Sequence, residues 1–275
     1  MGFLCAQIYL LVVRPKKNLG QHFLKDENIA RNIVDLFSGH RNPELLLEIG
    51  PGTGVLTRHL IEPAAWKFRA ADVDQESIDW LKAHYPLHQE KFLLQDFLQW
   101  HPEDESIQKL GIIGNFPYNI SSQIFFHLLD MKAEVTEVVC MLQREVARRI
   151  ASEPGSKEYG ILSVLLQSRY AIRYAFTVPE HVFDPPPKVK SGVIRLALLE
   201  DKIPVCSFSN LKKVVKQAFN TRRKTLRNAL KPLGIPPSLQ EHAWLDQRAE
   251  QLSVSDFEQL TAAYEQAGIL RKSVT

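Results

Sequence analysis

The sequence predicts an α/β fold built on a largely parallel sheet, followed by a smaller all-helical domain. Between residues 44 and 198, short apolar runs alternate with amphipathic stretches, which is the pattern of strands joined by crossover helices. A glycine-rich turn follows the first run, and the composition changes near residue 200. With 275 residues, of which 45% are hydrophobic, the chain can bury one sizeable core and a smaller second one.

The strands of the predicted sheet are the short apolar runs, and the helices fit between them. We place strands at residues 45–49, 68–72, 92–94, 111–114, 138–142 and 193–199. Helices are predicted at residues 120–131, 144–151 and 161–170. Ser121 or Asn119 is expected to cap the first of these helices. The Pro185-Pro186-Pro187 loop interrupts regular structure before the late strand.

The second predicted domain is basic. Nine Lys or Arg residues and no acidic residue lie between positions 202 and 231. Apolar residues in this stretch follow a helical period, which predicts an amphipathic helix with a cationic outer side: Leu211, Val214, Val215, Ala218 and Phe219. Further on, Ser255 and Glu258 match a capping box for a last helix. The predicted division is therefore an extension over residues 1–13, an α/β domain over 14–200 and a helical domain over 201–275.

Composition excludes several functional classes. The net charge is only +3, so the position of the basic residues is more informative than their sum. The three cysteines are far apart and lack metal-ligand spacing, which indicates reduced thiols in a cytoplasmic protein and no metal site. The apolar residues 3–13 are too few to span a bilayer, and their positive charges follow rather than precede them. We expect an extension that is either disordered or packed as an extra strand, and no membrane association.

The turn Gly50-Pro51-Gly52-Thr53-Gly54 follows a strand that ends near an acidic residue, Glu48. Glycines let a ligand approach the backbone, and the next helix adds oriented amides. The dinucleotide fingerprint has different spacing, G-x-G-x-x-G, and binds a pyrophosphate. This turn therefore favours an adenosyl cofactor without phosphate, although a glycine-rich turn is sometimes only a turn.

Acidic residues follow two further predicted strands. Asp72 ends the second strand, where a carboxylate can accept hydrogen bonds from both ribose hydroxyls of a cofactor. Asp74 is the competing candidate, but its position before Gln75 favours helix capping. Asp96 follows the third strand and is placed to accept from an adenine amino group, with Phe97 packing nearby. Because ligands bind outside the carboxyl ends of such strands, these positions predict one site.

The tetrapeptide Asn115-Phe116-Pro117-Tyr118 follows the fourth predicted strand. The Asn115 side-chain oxygen and the Phe116 carbonyl, held by the rigid proline, can accept from the amine of a flat ring. Tyr118 would stack on that ring, and Phe183 would close its other face. The alternative interpretation is that Pro117 and Tyr118 merely terminate a strand. Together with the glycine turn, the tetrapeptide predicts methyl transfer to a nucleic-acid base.

The chain resembles the small-subunit ribosomal RNA adenine dimethyltransferases. The segments that carry the resemblance are residues 19–24, 48–54, 114–121, 141–146, 183–189 and 218–228. The resemblance implies a Rossmann-like methyltransferase domain with a late antiparallel strand, a helical domain that contacts RNA, and S-adenosylmethionine as cofactor. The implied reaction is dimethylation of two adjacent adenines near the 3′ end of 16S rRNA in an immature small ribosomal subunit. We expect a monomer.

The resemblance also implies site residues. The cofactor would be bound by Gln21, His22, Leu24, Gly50, Gly52, Asp72, Val73, Asp96, Phe97 and Asn115. The target base would be held by Asn115, Phe116, Pro117 and Tyr118, with Phe183 beside it. RNA would be contacted by Arg222, Arg223, Lys224 and Arg227.

Two alternatives stay open at the level of sequence. One is the large-subunit adenine methyltransferase class that confers macrolide resistance, which shares the glycine turn and the tetrapeptide. The other is an RNA-binding subunit assembly factor whose catalysis is secondary. A basic helix is often only a solvated face, but a long run without an acidic residue favours contact with RNA.

Overall fold

A computed structural model describes residues 13–62, 66–200 and 203–271. The predicted extension therefore lies outside the described residues, except for Val13. The described chain forms two compact units. The first comprises the residues up to Ala147 together with Arg173–Leu198, and the second comprises Arg148–Ile172 together with the residues from Leu199 onward. The later boundary is close to the predicted one at residue 200, whereas the segment Arg148–Ile172 joins the second unit.

The described strands make a seven-stranded sheet and a separate two-stranded pair. They are β1 (Phe23–Leu24), β2 (Leu45–Ile49), β3 (Lys67–Asp72), β4 (Phe92–Leu94), β5 (Lys109–Asn115), β6 (Glu134–Gln143), β7 (Tyr170–Val178), β8 (Phe183–Asp184) and β9 (Ser191–Leu198). The large sheet has the order β4-β3-β2-β5-β6-β9-β7. Its first five strands are parallel, and β9 is antiparallel to β6. The predicted α/β, Rossmann-like sheet with a late antiparallel strand is confirmed.

The central strands are mostly apolar because both faces of a parallel sheet are covered, and β2 carries one acidic residue, Glu48. Every residue of β2 is buried, and the predicted bounds of β2 and β4 agree with those observed. The sequence missed β7, where buried and exposed residues do not alternate regularly, and the two-residue strands β1 and β8. Such short or irregular strands give no clear period-two signal.

The described α-helices are α1 (Glu27–Val34), α2 (Thr57–Leu60), α3 (Gln75–His84), α4 (Ser121–Asp130), α5 (Arg144–Ile150), α6 (Ile161–Gln167), α7 (Phe208–Phe219), α8 (Leu226–Ala229) and α9 (Val254–Gln266). The predicted amphipathic basic helix is α7, and all five predicted apolar positions are buried. In the second unit the rings of Phe219 and Phe257 stack with centroids 5.8 Å apart. None of the described helices has the length and apolar character needed to cross a bilayer.

Two predicted helix caps were wrong. The N-cap of α4 is Ile120, which makes no capping side-chain hydrogen bond, while Ser121 is the first helical residue and its hydroxyl donates to the Tyr118 carbonyl. The capping box of α9 is formed by Ser253 and Asp256. The helix begins two residues earlier than the Ser255 box requires, and Glu258 is buried instead of capping.

Candidate active site

One cavity of about 370 Å³ lies in the first unit, at the carboxyl ends of β2, β3 and β5. Most of the predicted site residues line it: Gln21, His22, Gly50, Gly52, Asp72, Val73, Asp96, Asn115, Phe116, Pro117 and Tyr118. Three predicted residues do not line it and lie in the core with exposures below 5%: Leu24, Phe97 and Phe183. The sequence missed six lining residues: Leu19, Gly20, Phe23, Leu98, Asn119 and Ile120.

The glycine turn requires glycine for two separate reasons. Gly50 and Gly52 have φ values of 68° and 52°, which side chains other than glycine rarely adopt. A Cβ atom on Gly52 would come within 2.8 Å of the Phe23 ring, and one on Gly50 within 3.4 Å of the Asn115 carbonyl oxygen. The turn thus packs directly against both the tetrapeptide and the first residue of β1, Phe23.

Asp72 is the last residue of β3, as predicted, and its side chain borders the cavity. Its Oδ1 accepts a hydrogen bond of 2.9 Å from the Asp74 backbone N–H. Burial raises the pKa of Asp72 to about 6, so the carboxylate is ionised at neutral pH. An ionised carboxylate at this position can accept hydrogen bonds from hydroxyl groups of a ligand.

Asp74 caps α3, as the sequence favoured, because its side chain accepts from the Glu76 backbone N–H at 3.2 Å. Asp96 also serves as a cap. Its carboxylate accepts from the Leu98 backbone N–H at 2.9 Å and from Gln99 Nε2 at 3.1 Å, while it borders the cavity. Phe97 packs inward, edge-on to the His127 ring.

Asn115 is the last residue of β5, and its Nδ2 donates to the His22 carbonyl oxygen at 2.9 Å. Among the described residues nothing donates to its Oδ1. The Phe116 backbone N–H donates to the Met141 carbonyl at 2.9 Å, and the Phe116 ring packs against Phe125. Asn115 and Phe116 both line the cavity, Asn115 held through its amide nitrogen and Phe116 through its backbone N–H.

Tyr118 is held by its hydroxyl, which hydrogen-bonds to Ser191 Oγ at the start of β9. Burial raises the pKa of Tyr118, so its ring is neutral at physiological pH. The ring centroid lies 5.4 Å from that of His22, with the planes 31° apart. His22 Nδ1 lies 2.7 Å from the Pro185 carbonyl oxygen, and because a carbonyl only accepts, Nδ1 carries the proton.

Phe183 lies away from this arrangement. It pairs with Leu24 in the β1–β8 ladder, and its side chain is 1% exposed in the core. The structure therefore does not bring Phe183 to the cavity beside Tyr118.

Glu48 is a buried acid that was not predicted as a site residue. It precedes the glycine turn by two positions and accepts a hydrogen bond of 2.7 Å from Thr57 Oγ1. Complete burial, with a smaller effect of the nearby Asp72 charge, raises the pKa of Glu48 to about 8. Glu48 is thus a mostly neutral carboxylic acid at pH 7.

Comparison with known proteins matches residues 12–265 to the model of one family, described as ribosomal RNA adenine dimethylase. The chain belongs to the ribosomal RNA adenine dimethylase family. It is 50% identical to the ribosomal RNA small subunit methyltransferase A of Cytophaga hutchinsonii, over 90% of this chain and 96% of that protein. The corresponding protein of Porphyromonas gingivalis is 48% identical, over 94% of this chain and all of its own length.

Solved structures show the shared fold. A dimethyladenosine transferase from Plasmodium falciparum superposes with a TM-score of 0.77 and 23% identity, covering 90% of this chain and 98% of that chain. The 23S rRNA methyltransferase ErmE gives a TM-score of 0.63 and 21% identity, covering 87% and 99%. Family membership makes this chain an enzyme that uses S-adenosylmethionine and acts on ribosomal RNA, as the sequence predicted.

The residues at the cavity fit S-adenosylmethionine. The volume of about 370 Å³ lies within the range of roughly 300 to 1,000 Å³ that is usual for small-molecule sites. Gly50 and Gly52 keep the wall free of side chains, and the ionised Asp72 carboxylate offers an acceptor for ribose hydroxyls. Gln21, His22 and Asn115 line the same cavity.

In the second unit, the four residues predicted to contact RNA fall into two groups. Arg222 donates to the carbonyls of Lys157 and Tyr159, both at 2.9 Å, and Arg227 pairs with Asp246 at 3.1 Å. Arg223 and Lys224 are exposed, and neither side chain bonds to any other described residue. Arg222 and Arg227 therefore bind other groups within the unit, whereas the Arg223 and Lys224 side chains are available to bind a polyanion.

Proposed function

We propose that this enzyme dimethylates the exocyclic amino groups of two adjacent adenines near the 3′ end of 16S rRNA, in an immature small ribosomal subunit. The two relatives named above are small-subunit enzymes by name, and their similarity extends over nearly the whole chain. The observation that carries the chemistry is the pair of acceptors, Asn115 Oδ1 and the Phe116 carbonyl, at the edge of a cavity that fits the cofactor.

The acceptors address the main difficulty of the reaction. An adenine amine is a poor nucleophile because its lone pair is delocalised into the ring. Two acceptors that take its N–H groups favour a more tetrahedral nitrogen and direct the lone pair outward from the ring. They also stabilise the positive charge that develops on nitrogen. S-adenosylmethionine supplies the activated methyl group when bound.

The acceptors are held in place before the substrate arrives. The bond from Asn115 Nδ2 to the His22 carbonyl fixes which end of the amide faces the substrate. The Pro117 ring limits the conformations of Phe116 and thereby fixes its carbonyl. Because these groups need little reorganisation, the rate is expected to come mainly from positioning and electrostatics.

Tyr118 is the residue to which we assign stacking on the target base. Such stacking contributes about 1 to 3 kcal/mol per base. It offsets a cost on the order of a few kcal/mol for extruding a base, which is smaller in unpaired RNA. The bond to Ser191 keeps the ring in a defined orientation.

Contacts with the rest of the RNA are assigned to the exposed pair Arg223 and Lys224. Their side chains are free to neutralise phosphates, which supplies affinity without reading sequence. We further propose that the enzyme acts as a monomer in the cytoplasm, where immature subunits are assembled.

Two other functions are distinguished by specific observations. A large-subunit substrate is suggested by the shared glycine turn and tetrapeptide and by the fold shared with ErmE, and at 21% identity that fold does not carry substrate choice. An assembly factor with secondary catalysis would not require the ordered acceptors at Asn115 and Phe116. Binding and catalysis can nevertheless be separate properties of one protein.

The deciding experiment offers labelled S-adenosylmethionine with immature small subunits, large-subunit RNA or DNA, and identifies the methylated nucleoside by mass. We expect dimethyladenosine from the small subunits alone. Asn115→Ala should lower methylation by about 100-fold or more, as expected for the loss of a group that stabilises developing charge. The variant should retain its affinity for subunits.

Label in large-subunit RNA or in DNA would contradict the substrate assignment. If Asn115→Ala lost subunit binding together with methylation, separate roles for binding and catalysis would be wrong. Retained methylation by the variant would instead remove Asn115 from the mechanism.

A further inference from the structure

A segment before β1 covers one side of the cavity. We name residues 16–23 the strap. It starts with a 3-10 turn, Lys17–Leu19, reverses at Gly20 with φ 64°, and leads into β1. Five consecutive residues of the strap line the cavity, from Leu19 to Phe23. The cavity therefore exists in its observed form only while the strap is in place.

The start of the strap is attached by an ion pair. Lys16 Nζ lies 2.5 Å from Asp74 Oδ1 and 3.1 Å from Glu76 Oε1. The Asp74 side chain is fully enclosed, whereas 33% of the Lys16 side chain and 51% of the Glu76 side chain are exposed. Asp74 is therefore the less screened of the two partners of Lys16.

Gln21 provides a second attachment of the strap to Asp74. Its Nε2 donates to Asp74 Oδ2 at 3.0 Å, and its Oε1 accepts from the Lys16 backbone N–H at 2.9 Å. Both oxygens of Asp74 thus bind the strap, one at Lys16 and one at Gln21. The two strap residues also bind each other, which closes a small ring of hydrogen bonds over the start of α3.

Asp74 also contacts the residue assigned to the cofactor. Its backbone N–H donates to Asp72 Oδ1 at 2.9 Å. The far end of the strap reaches the tetrapeptide, because the His22 carbonyl accepts from Asn115. The Asn18 carbonyl, nearer the start of the strap, accepts at 3.4 Å from Asn119, which follows the tetrapeptide. The strap therefore joins the part of the cavity near Asp72 to the acceptors assigned to the target base.

We propose that Lys16 and Asp74 are positioning residues that latch the strap over the bound cofactor and so set both cofactor affinity and the placement of Asn115. The proposal rests on the proposed function only in identifying the occupant of the cavity as S-adenosylmethionine. Neither residue takes part in the chemistry. The latch acts through Gln21 and His22, which border the cavity.

Capping of α3 is the competing explanation for Asp74, and substitutions separate the two roles. Asn is as good an N-cap as Asp, so Asp74→Asn preserves the cap while removing the charge that holds Lys16. Lys16→Met keeps the aliphatic length and removes the cation, and Lys16→Arg restores it. The matched control is Lys17→Met, because the Lys17 side chain is exposed and bonds to no other described residue.

The test measures binding of S-adenosylhomocysteine by calorimetry, together with hydrogen exchange of strap amides. If each charge-removing variant lowers the closed fraction to about one tenth, the Kd rises about tenfold. Lys16→Arg and Lys17→Met should keep the wild-type Kd. Lys16→Met combined with Asp74→Asn should be no worse than Asp74→Asn alone, because Asp74→Asn already removes the ion pair with Lys16. Exchange at Gly20 and Gln21 should accelerate in the same variants, while the unfolding temperature stays unchanged.

The outcomes are decisive in either direction. Wild-type affinity and wild-type exchange in both Lys16→Met and Asp74→Asn would overturn the latch while leaving the proposed function intact. Additive losses in the double variant would also overturn it, since the two residues would then act separately. If the wild-type protein bound no S-adenosylhomocysteine, both the latch and the proposed function would be wrong.

Discussion

The buried acid Glu48 leads to a quantitative prediction about pH and stability. Its pKa is about 8 in the folded chain, against an ordinary value of 4.5. Between these values the folded chain keeps a proton that the unfolded chain releases, so the free energy of unfolding falls as the pH rises. The stabilising contribution of the protonated Glu48 to the free energy of unfolding is fully present below pH 4.5 and is lost as the pH approaches 8.

Glu48→Gln isolates this effect. Glutamine has nearly the same shape, stays neutral and can still accept from Thr57 Oγ1, which donates at 2.7 Å in the wild type. Each pH unit in this range is equivalent to about 1.4 kcal/mol. Between pH 5 and pH 8 the wild type should therefore lose roughly 4 kcal/mol relative to the variant.

The assay is urea unfolding of both proteins at several pH values, followed by tryptophan fluorescence. Three of the four tryptophans, Trp66, Trp80 and Trp100, are in the first unit with Glu48, so the signal reports mainly on that unit. Glu90→Gln is the control, because the Glu90 side chain is exposed and bonds to no other described residue. If the free energies of unfolding of the wild type and Glu48→Gln changed in parallel with pH, the prediction that Glu48 is neutral when folded would be wrong.

Further predictions concern the cofactor and the RNA. Because the pKa of Asp72 is about 6, the affinity of the wild type for S-adenosylhomocysteine should fall below pH 6. Asp72→Asn should bind S-adenosylhomocysteine about tenfold or more weakly than the wild type at pH 8 and show little pH dependence. Calorimetry at pH 5 and pH 8 tests both expectations. Replacing Arg223 and Lys224 by Ala should reduce the slope of log affinity for RNA against log salt by about two, measured by filter binding, and an unchanged slope would contradict RNA contact. Arg222→Ala should mainly lower the unfolding temperature, because its guanidinium holds two backbone carbonyls.

Much of the first unit was predictable because its signals are local. The strand β4 is an uninterrupted apolar run, and β2 is apolar except for Glu48. In the second unit, α7 was predictable in the same way from apolar residues at helical spacing. Asp72 and Asn115 follow from the rule that ligands bind at the carboxyl ends of parallel strands, which needs only the order of the strands. The same rule placed the glycine turn beside the tetrapeptide.

Other features could not be read from local pattern. Asp96 was only a strand-end acid in the sequence, but its hydrogen bond from the Leu98 backbone N–H shows that it also caps a helical turn. Phe183 resembles an exposed stacking residue because it precedes a proline loop, yet pairing with β1 buries it. Arg222 and Arg223 are adjacent and chemically identical, and only folding gave Arg222 two carbonyl partners.

Local sequence pattern was enough to predict the five parallel strands, the glycine turn and the tetrapeptide motif, because apolar runs, glycine conformation and proline rigidity depend on neighbouring residues. Folding alone produces the contacts that hold the strap and the burial that keeps Glu48 neutral. It also leaves Arg223 and Lys224, and not Arg222, without a partner among the described residues. These depend on groups far apart in the chain, such as Gln21 and Asp74, which are 53 positions apart. Burial and such distant contacts set pKa values and side-chain freedom, and neither is encoded in local spacing.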